Sequence, residues 1–142
     1  MKDDRLRVSV EQEYVNAVGL ATYAFATLEW NAVWCCEKIN PGSIHSLPDK
    51  VAGVIAGEFV KQVQKMPVSQ DQIQLLAAAE DFKVLVGDRN GLMHGKPGTD
   101  TDGGQRLFRN GKAWTVDAIS DAADRFTECS IRLNAFLHGF LK

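Results

Sequence analysis

Three side chains able to act together on a phosphate lie within six residues of one another: Arg89, Asn90 and His94, in the run Gly87-Asp88-Arg89-Asn90-Gly91-Leu92-Met93-His94-Gly95. If this stretch is helical, Asn90 and His94 fall four apart on one face, and Arg89 lies about 140° round from His94. A guanidinium grips two phosphate oxygens with its planar fork. An imidazole titrates near neutrality and moves protons. A carboxamide can orient either one. A bland alternative stands beside this: Arg89 and His94 at the end of a helix can also serve its last carbonyls. Cations continue beyond the motif. From Lys83 to Lys112 the chain carries Lys83, Arg89, Lys96, Arg106, Arg109 and Lys112 against Asp88, Asp100 and Asp102, a locally basic stretch in a protein whose net charge is −2. Lys96, Arg106, Arg109 and Lys112 are therefore the expected contacts to a substrate backbone.

Other chemistry-bearing residues are weaker candidates. Arg132 and His138 repeat the Arg–His spacing loosely, but without an adjacent Asn and inside a core-forming pattern. Arg109-Asn110-Gly111 repeats only the start of the motif and reads as a hairpin turn. His45 falls after a chain break and is expected in solvent. Trp30 and Trp34 share a helical face and are expected to pack. Glu29 and Glu80 sit in apolar stretches, where either can support the arginine or simply face water. Cys35, Cys36 and Cys129 show neither a framework spacing nor a CxxC pair. Buried thiols in a reducing compartment are expected, with no metal site.

The elements that must position the triad follow from the apolar periodicity. A first helix is expected from Val10 to Ile39, capped by Ser9 with Gln12 in a capping box. Its stripe is Tyr14, Val18, Ala21, Phe25, Leu28, Ala32, Cys35 and Ile39, and Asn40-Pro41-Gly42 ends it. A second helix is expected over Leu47–Met66, with Ser46 as cap, Pro48 in its first turn and Val51, Ile55, Phe59 and Val63 inward. A third runs from Gln70 to His94 behind Ser69 and Gln72, with Ile73, Leu76, Phe82, Leu85 and Leu92 inward. Gly95 reads as its left-handed terminator. Residues 96–105 read as a flexible loop and 106–114 as a two-stranded ribbon turning at Asn110-Gly111. The last helix is expected over Val116–Leu141 with Thr115 as cap, burying Ile119, Ala123, Phe126, Cys129, Leu133, Phe136 and Phe140. These elements predict one all-α domain over residues 1–142, a four-helix bundle of up-down type with a small β-hairpin inserted before the last helix.

The chain has 142 residues, 45% hydrophobic and 24% charged, enough for a core without disulfides or metals. An acidic pI of about 5.9 argues against a general nucleic-acid coat. The polar start Met1-Lys-Asp-Asp-Arg resembles neither a signal nor a transit sequence, and the apolar runs are short of a membrane span. The expected location is the cytoplasm.

On these residues the chain resembles the HEPN superfamily, helical bundles whose signature is an arginine followed four to six residues later by histidine. Asn often follows the arginine and glycine the histidine. Arg89, Asn90, His94 and Gly95 match that fuller form, at the end of a helix preceding the last one. The resemblance implies metal-independent RNA cleavage without a cofactor. His94 would act as acid or base, Arg89 would stabilise the phosphate, and Asn90 would position one of them. It also implies a homodimer in which two motifs face one cleft, a toxin or defence role, and a neutralising or regulatory partner protein. Two other classes remain: a non-catalytic module that binds a nucleotide or protein, and a dimerising scaffold without a ligand.

Overall fold

The computed structural model describes residues 6–142, built from four α-helices and a small sheet. Helix α1 spans Gln12–Ile39, α2 Ala52–Gln64, α3 Gln70–Met93 and α4 Val116–His138. Strands β1 (Lys96–Thr99), β2 (Gln105–Arg109) and β3 (Lys112–Ala113) lie between α3 and α4. α1 packs on α4 and α2, while α3 closes on α2 and α4, so all four helices share one core. Its centre is aromatic. Phe25 meets Phe126 edge-on with centroids 5.2 Å apart, and Phe82 lies between Phe25 and Phe59 at 6.1 and 6.4 Å.

The first helix follows its predicted stripe: Tyr14, Ala21, Phe25, Leu28, Ala32 and Cys35 are all buried. Its start differs. Glu11 is the N-terminal boundary residue and makes no side-chain cap, so the Ser9–Gln12 box does not form. At the other end Gly42 adopts φ 102°, as the Asn-Pro-Gly break requires. Glu37 fastens that turn, its carboxylate accepting from the N–H groups of Gly42 (2.8 and 2.9 Å) and Ile44 (3.1 Å). Those bonds hold the Glu37 carboxyl below its usual range.

The second helix begins later than its pattern predicts. Ser43–His45 and Leu47–Asp49 form two 3-10 turns, Leu47 is the buried anchor of that segment, and Val51 is extended and exposed. The third helix is capped as expected, Ser69 Oγ accepting from the Gln72 N–H at 3.1 Å. The Gln72 side chain, however, is buried and donates to Val63 O (3.0 Å), tying α3 to the end of α2. The inward face of α3 is Gln72, Leu75, Ala79, Phe82 and Val86, with Ile73 exposed and Leu76 half-buried. Alanines form part of this seam, which a reading that counts only large side chains misses. Thr115 caps α4 through the Ala118 N–H (3.0 Å), and the helix ends at His138 rather than Leu141, leaving Phe140 exposed.

The insertion is larger than a two-stranded ribbon. Residues 96–99, expected in a flexible loop, form an edge strand paired antiparallel with β2, Lys96 opposite Phe108 and Pro97 opposite Leu107. Pro97 is tolerated because its partner directs its hydrogen bonds elsewhere: the Leu107 N–H goes to Tyr14 Oη and its carbonyl to the Trp114 N–H. Asp100 and Asp102 close the turn through the N–H groups of Thr101 and Gly104, each at 2.8 Å. Asn110 (φ 55°) and Gly111 (φ 75°) turn β2 into β3 as the sequence predicts.

Candidate functional site

The helix that carries the motif persists through Gly91 to Met93, so Arg89 and Asn90 sit on regular α3 and His94 is its C-cap (φ −98°, ψ 13°). The His94 N–H bonds Asn90 O at 2.9 Å. Arg89 donates from Nη1 to Asn90 Oδ1 (2.9 Å), and its guanidinium lies 5.5 Å from the centroid of the Phe25 ring on α1. Its partner is therefore a carboxamide and not the terminal carbonyls of its helix. A ring face under a guanidinium fixes its plane while leaving the N–H edges free to bond. Arg89 and Asn90 are half-buried and His94 is exposed. The triad thus runs from a seated guanidinium to an imidazole in solvent one helical turn on. The surface hollows lined by Gly19 and Tyr23, by Asp88 and Arg125, and by Val10 and Leu107 all lie outside it.

Glu29, one turn beyond Phe25 on α1, joins this neighbourhood. It is half-buried; burial pushes its carboxyl above the usual range and the Arg89 charge partly opposes that. The sequence signal for it was an acid in an otherwise apolar stretch. Glu80 is exposed.

The sheet docks on the motif through Gly91. Trp114 Nε1 donates to Gly91 O at 3.1 Å, and a Cβ on Gly91 would stand 3.3 Å from Trp114 Cζ2 and 3.9 Å from Arg109 Cγ. Gly95 does not take the left-handed conformation predicted for it; it is small because a Cβ there would meet Leu107 Cβ at 2.9 Å and Leu92 O at 3.0 Å. Both glycines thus allow β2 and its neighbours to lie against the end of α3.

The four cations expected to touch substrate divide. Arg109 and Lys112 are register partners, exposed, and on a common sheet face beside Gly91. Lys96 is exposed next to Gly95 but pairs with Phe108, on the alternate face. Arg106 is engaged within the fold. It lies 5.1 Å from the Tyr14 ring centroid, 3.5 Å from Glu11 and 3.7 Å from Asp102, and donates to Gln105 O at 2.9 Å. Tyr14 itself fastens the sheet to α1, its hydroxyl donating to Trp114 O (2.7 Å) and accepting from the Leu107 N–H (3.0 Å). Burial raises the Tyr14 phenol above its ordinary value.

The remaining candidates are elsewhere. Arg132 pairs with Asp81 on α3, and His138 and His45 are exposed away from the triad. Trp30 and Trp34 do not enter the core as expected; they meet each other edge-on at 6.0 Å on the exposed face of α1. The three thiols are buried, and burial raises Cys36 to about 12 and Cys129 to about 11, with Cys35 higher still. Among the described residues no cluster of three His, Cys, Asp or Glu side chains is placed to hold a metal ion, and no helix is long and apolar enough to cross a membrane. No protein-family model, curated protein or solved structure matches this chain.

Proposed function

We propose that the protein is a HEPN-like endoribonuclease whose working groups are Arg89, Asn90 and His94. The observation that supports this most is the arrangement at the end of α3: a guanidinium seated over Phe25, locked to the Asn90 carboxamide at 2.9 Å, with an exposed imidazole one turn away. In this reading the 2′-hydroxyl of RNA attacks the adjacent phosphorus and the 5′-oxygen leaves, giving a 2′,3′-cyclic phosphate. His94 takes the proton from the 2′-hydroxyl, and Arg89 stabilises the charge gathering on the non-bridging oxygens. One imidazole serves one end of an in-line displacement, so a second copy of the chain supplies the group that protonates the leaving oxygen. Arg109 and Lys112 hold the flanking backbone, Lys96 reaches it from the other sheet face, and Arg106 braces the sheet that carries them. A toxin or defence role with a protein antagonist belongs to the same reading.

A second reading has its own support. With a net charge of −2 the chain is less basic than free nucleases commonly are, which favours a module that binds a nucleotide phosphate without turnover. Incubating wild type, Arg89→Ala and His94→Ala with single-stranded and structured RNA in excess chelator separates them. Cleavage by wild type alone supports the nuclease. Nucleotide-dependent thermal stabilisation without cleavage, abolished by Arg89→Ala, supports the module. Equal cleavage by all three removes the triad from the chemistry.

A further inference from the structure

Helix α1 carries a second apolar stripe on the side away from its core. Leu20, Tyr23, Thr27, Trp30 and Trp34 recur at steps of three, four, three and four residues, and all are exposed: Leu20 69%, Tyr23 76%, Trp30 49% and Trp34 37% of their surface. Ile131 of α4, 65% exposed, extends the patch across the hollow between the two helices, a cavity of about 520 Å³. Such spacing is the seam of a coiled-coil helix pair, repeated here on a helix whose other face already fills the core. Gly19 faces open space and Ala26 is exposed at the edge of the stripe, so a second helix can approach closely.

We infer that this stripe is an interface with a second copy of the chain, the two α1 helices lying antiparallel about a two-fold axis near Thr27. Self-complementarity argues for that occupant. The axis sets Leu20 against the partner's Trp34 and Tyr23 against the partner's Trp30, pairing the smaller end of the stripe with its bulkier end twice over. Charge agrees. The stripe is flanked by exposed Glu13 toward its start and exposed Lys38 toward its end, and only the antiparallel arrangement brings each beside the other's counterpart. Area agrees as well. With aromatic side chains of ~150–250 Å² each, the exposed parts of Tyr23, Trp30 and Trp34, with Leu20 and Ile131, offer roughly 500 Å² per protomer. A standard interface needs about 800 Å² per partner, which the flanking small and polar residues complete. A contiguous apolar patch of this size is in the upper part of the roughly 300–600 Å² range of the largest patch on a monomer, and such patches are often functional.

This pairing does not rest on the ribonuclease reading. Phe25, under Arg89, is a core residue packed against Phe82 of α3 and Phe126 of α4, about 160° round α1 from Tyr23 and Thr27, so the seam lies on the far side of α1 from the triad.

The test is sedimentation equilibrium and light scattering of the full chain over a hundredfold concentration range, for wild type, Leu20→Lys/Tyr23→Lys and Thr27→Cys. The lysines replace exposed side chains, so the variants are expected to keep the wild-type helical signal and melting profile. The expected result is a dimeric wild type, at least a tenfold weaker association for the double lysine variant, and a disulfide-linked Thr27→Cys dimer under mild oxidation. The native cysteines are buried and do not compete. A wild type that stays monomeric throughout, or a dimer indifferent to the lysines with no Thr27→Cys cross-link, overturns the assignment. RNA cleavage by a monomeric lysine variant would leave the triad standing and remove only its need for a partner, so the two readings fail separately.

Discussion

Removing one oxygen tests how the sheet is held against the triad. The Tyr14 hydroxyl at once receives the Leu107 N–H, at 3.0 Å, and donates to Trp114 O, at 2.7 Å, and Tyr14 is 3% exposed. Tyr14→Phe keeps the ring under Arg106 and the volume of the core, so no cavity opens. What it leaves is a donor and an acceptor without a partner at a buried position. An unmet buried polar group costs about 1–3 kcal/mol. Water can reach one of the two from the half-buried sheet, which leaves an expected loss of about 1–3 kcal/mol. For a chain of 142 residues this lowers the melting temperature by roughly 3–10 °C. Trp114 lies on Gly91 at the motif, so near-ultraviolet circular dichroism should lose tryptophan signal below the main transition. Urea denaturation at equilibrium, followed by far- and near-ultraviolet dichroism together, measures both. A loss under about 0.5 kcal/mol, with the tryptophan signal intact, would refute the argument that this hydroxyl fastens the sheet.

Other expectations follow from neighbouring contacts. Gly95→Ala should cost about 1–3 kcal/mol, because its methyl group would meet Leu107 Cβ and Leu92 O at 2.9 and 3.0 Å; chemical denaturation reads this directly. Glu29 has a carboxyl raised above its unfolded value, so the folded state holds its proton more tightly. Its contribution therefore favours folding at low pH and is lost as pH rises from about 4.5 through the folded value. Glu29→Gln should flatten that part of the stability–pH curve, and Arg89→Gln should move the Glu29 carboxyl resonance to a still higher midpoint; an unchanged midpoint would place the two groups out of contact. The thiols, buried and raised, should resist a disulfide-exchange reagent at pH 8 in the native protein and react fully once it is unfolded.

The sequence disclosed the helices where the apolar side chains were large and regular. In α1 the stripe from Tyr14 to Cys35 alternates steps of four and three with little interruption, and its pattern predicts the buried face correctly. In α3 the same approach picked Ile73 and passed over Leu75, Ala78 and Ala79, because alanine adds little to an apolar count yet lets helices approach closely. Strand β1 was hidden for a different reason. Lys-Pro-Gly-Thr has no apolar alternation and a single β-branched residue, Thr99, and it is a strand because β2 is fixed to Tyr14 and offers it an edge. Ser9 looked like a cap, but a cap works only where the chain turns into the helix, and that turn comes at Glu11.

At the site, the spacing of Asn90 and His94 was legible because helix geometry alone fixes it. The Arg89–Asn90 bond and the Phe25 ring beneath Arg89 were not, since they depend on which face of α1 meets α3. The same limit applies to the cations. Composition gives their number, while strand register decides that Arg109 and Lys112 stand together and that Arg106 turns to Glu11 and Asp102.

The central proposal is that Arg89, Asn90 and His94 cut RNA through its own 2′-hydroxyl. Mass spectrometry of RNA ends examines it most directly, using wild type and His94→Ala, excess chelator, and an oligonucleotide with and without a single 2′-deoxy position. Wild type should give fragments ending in 2′,3′-cyclic phosphate, with the cut abolished at the deoxy position and at least a hundredfold fewer fragments from His94→Ala. Intact RNA with wild-type protein, or cutting that ignores both the deoxy substitution and the loss of His94, would contradict it.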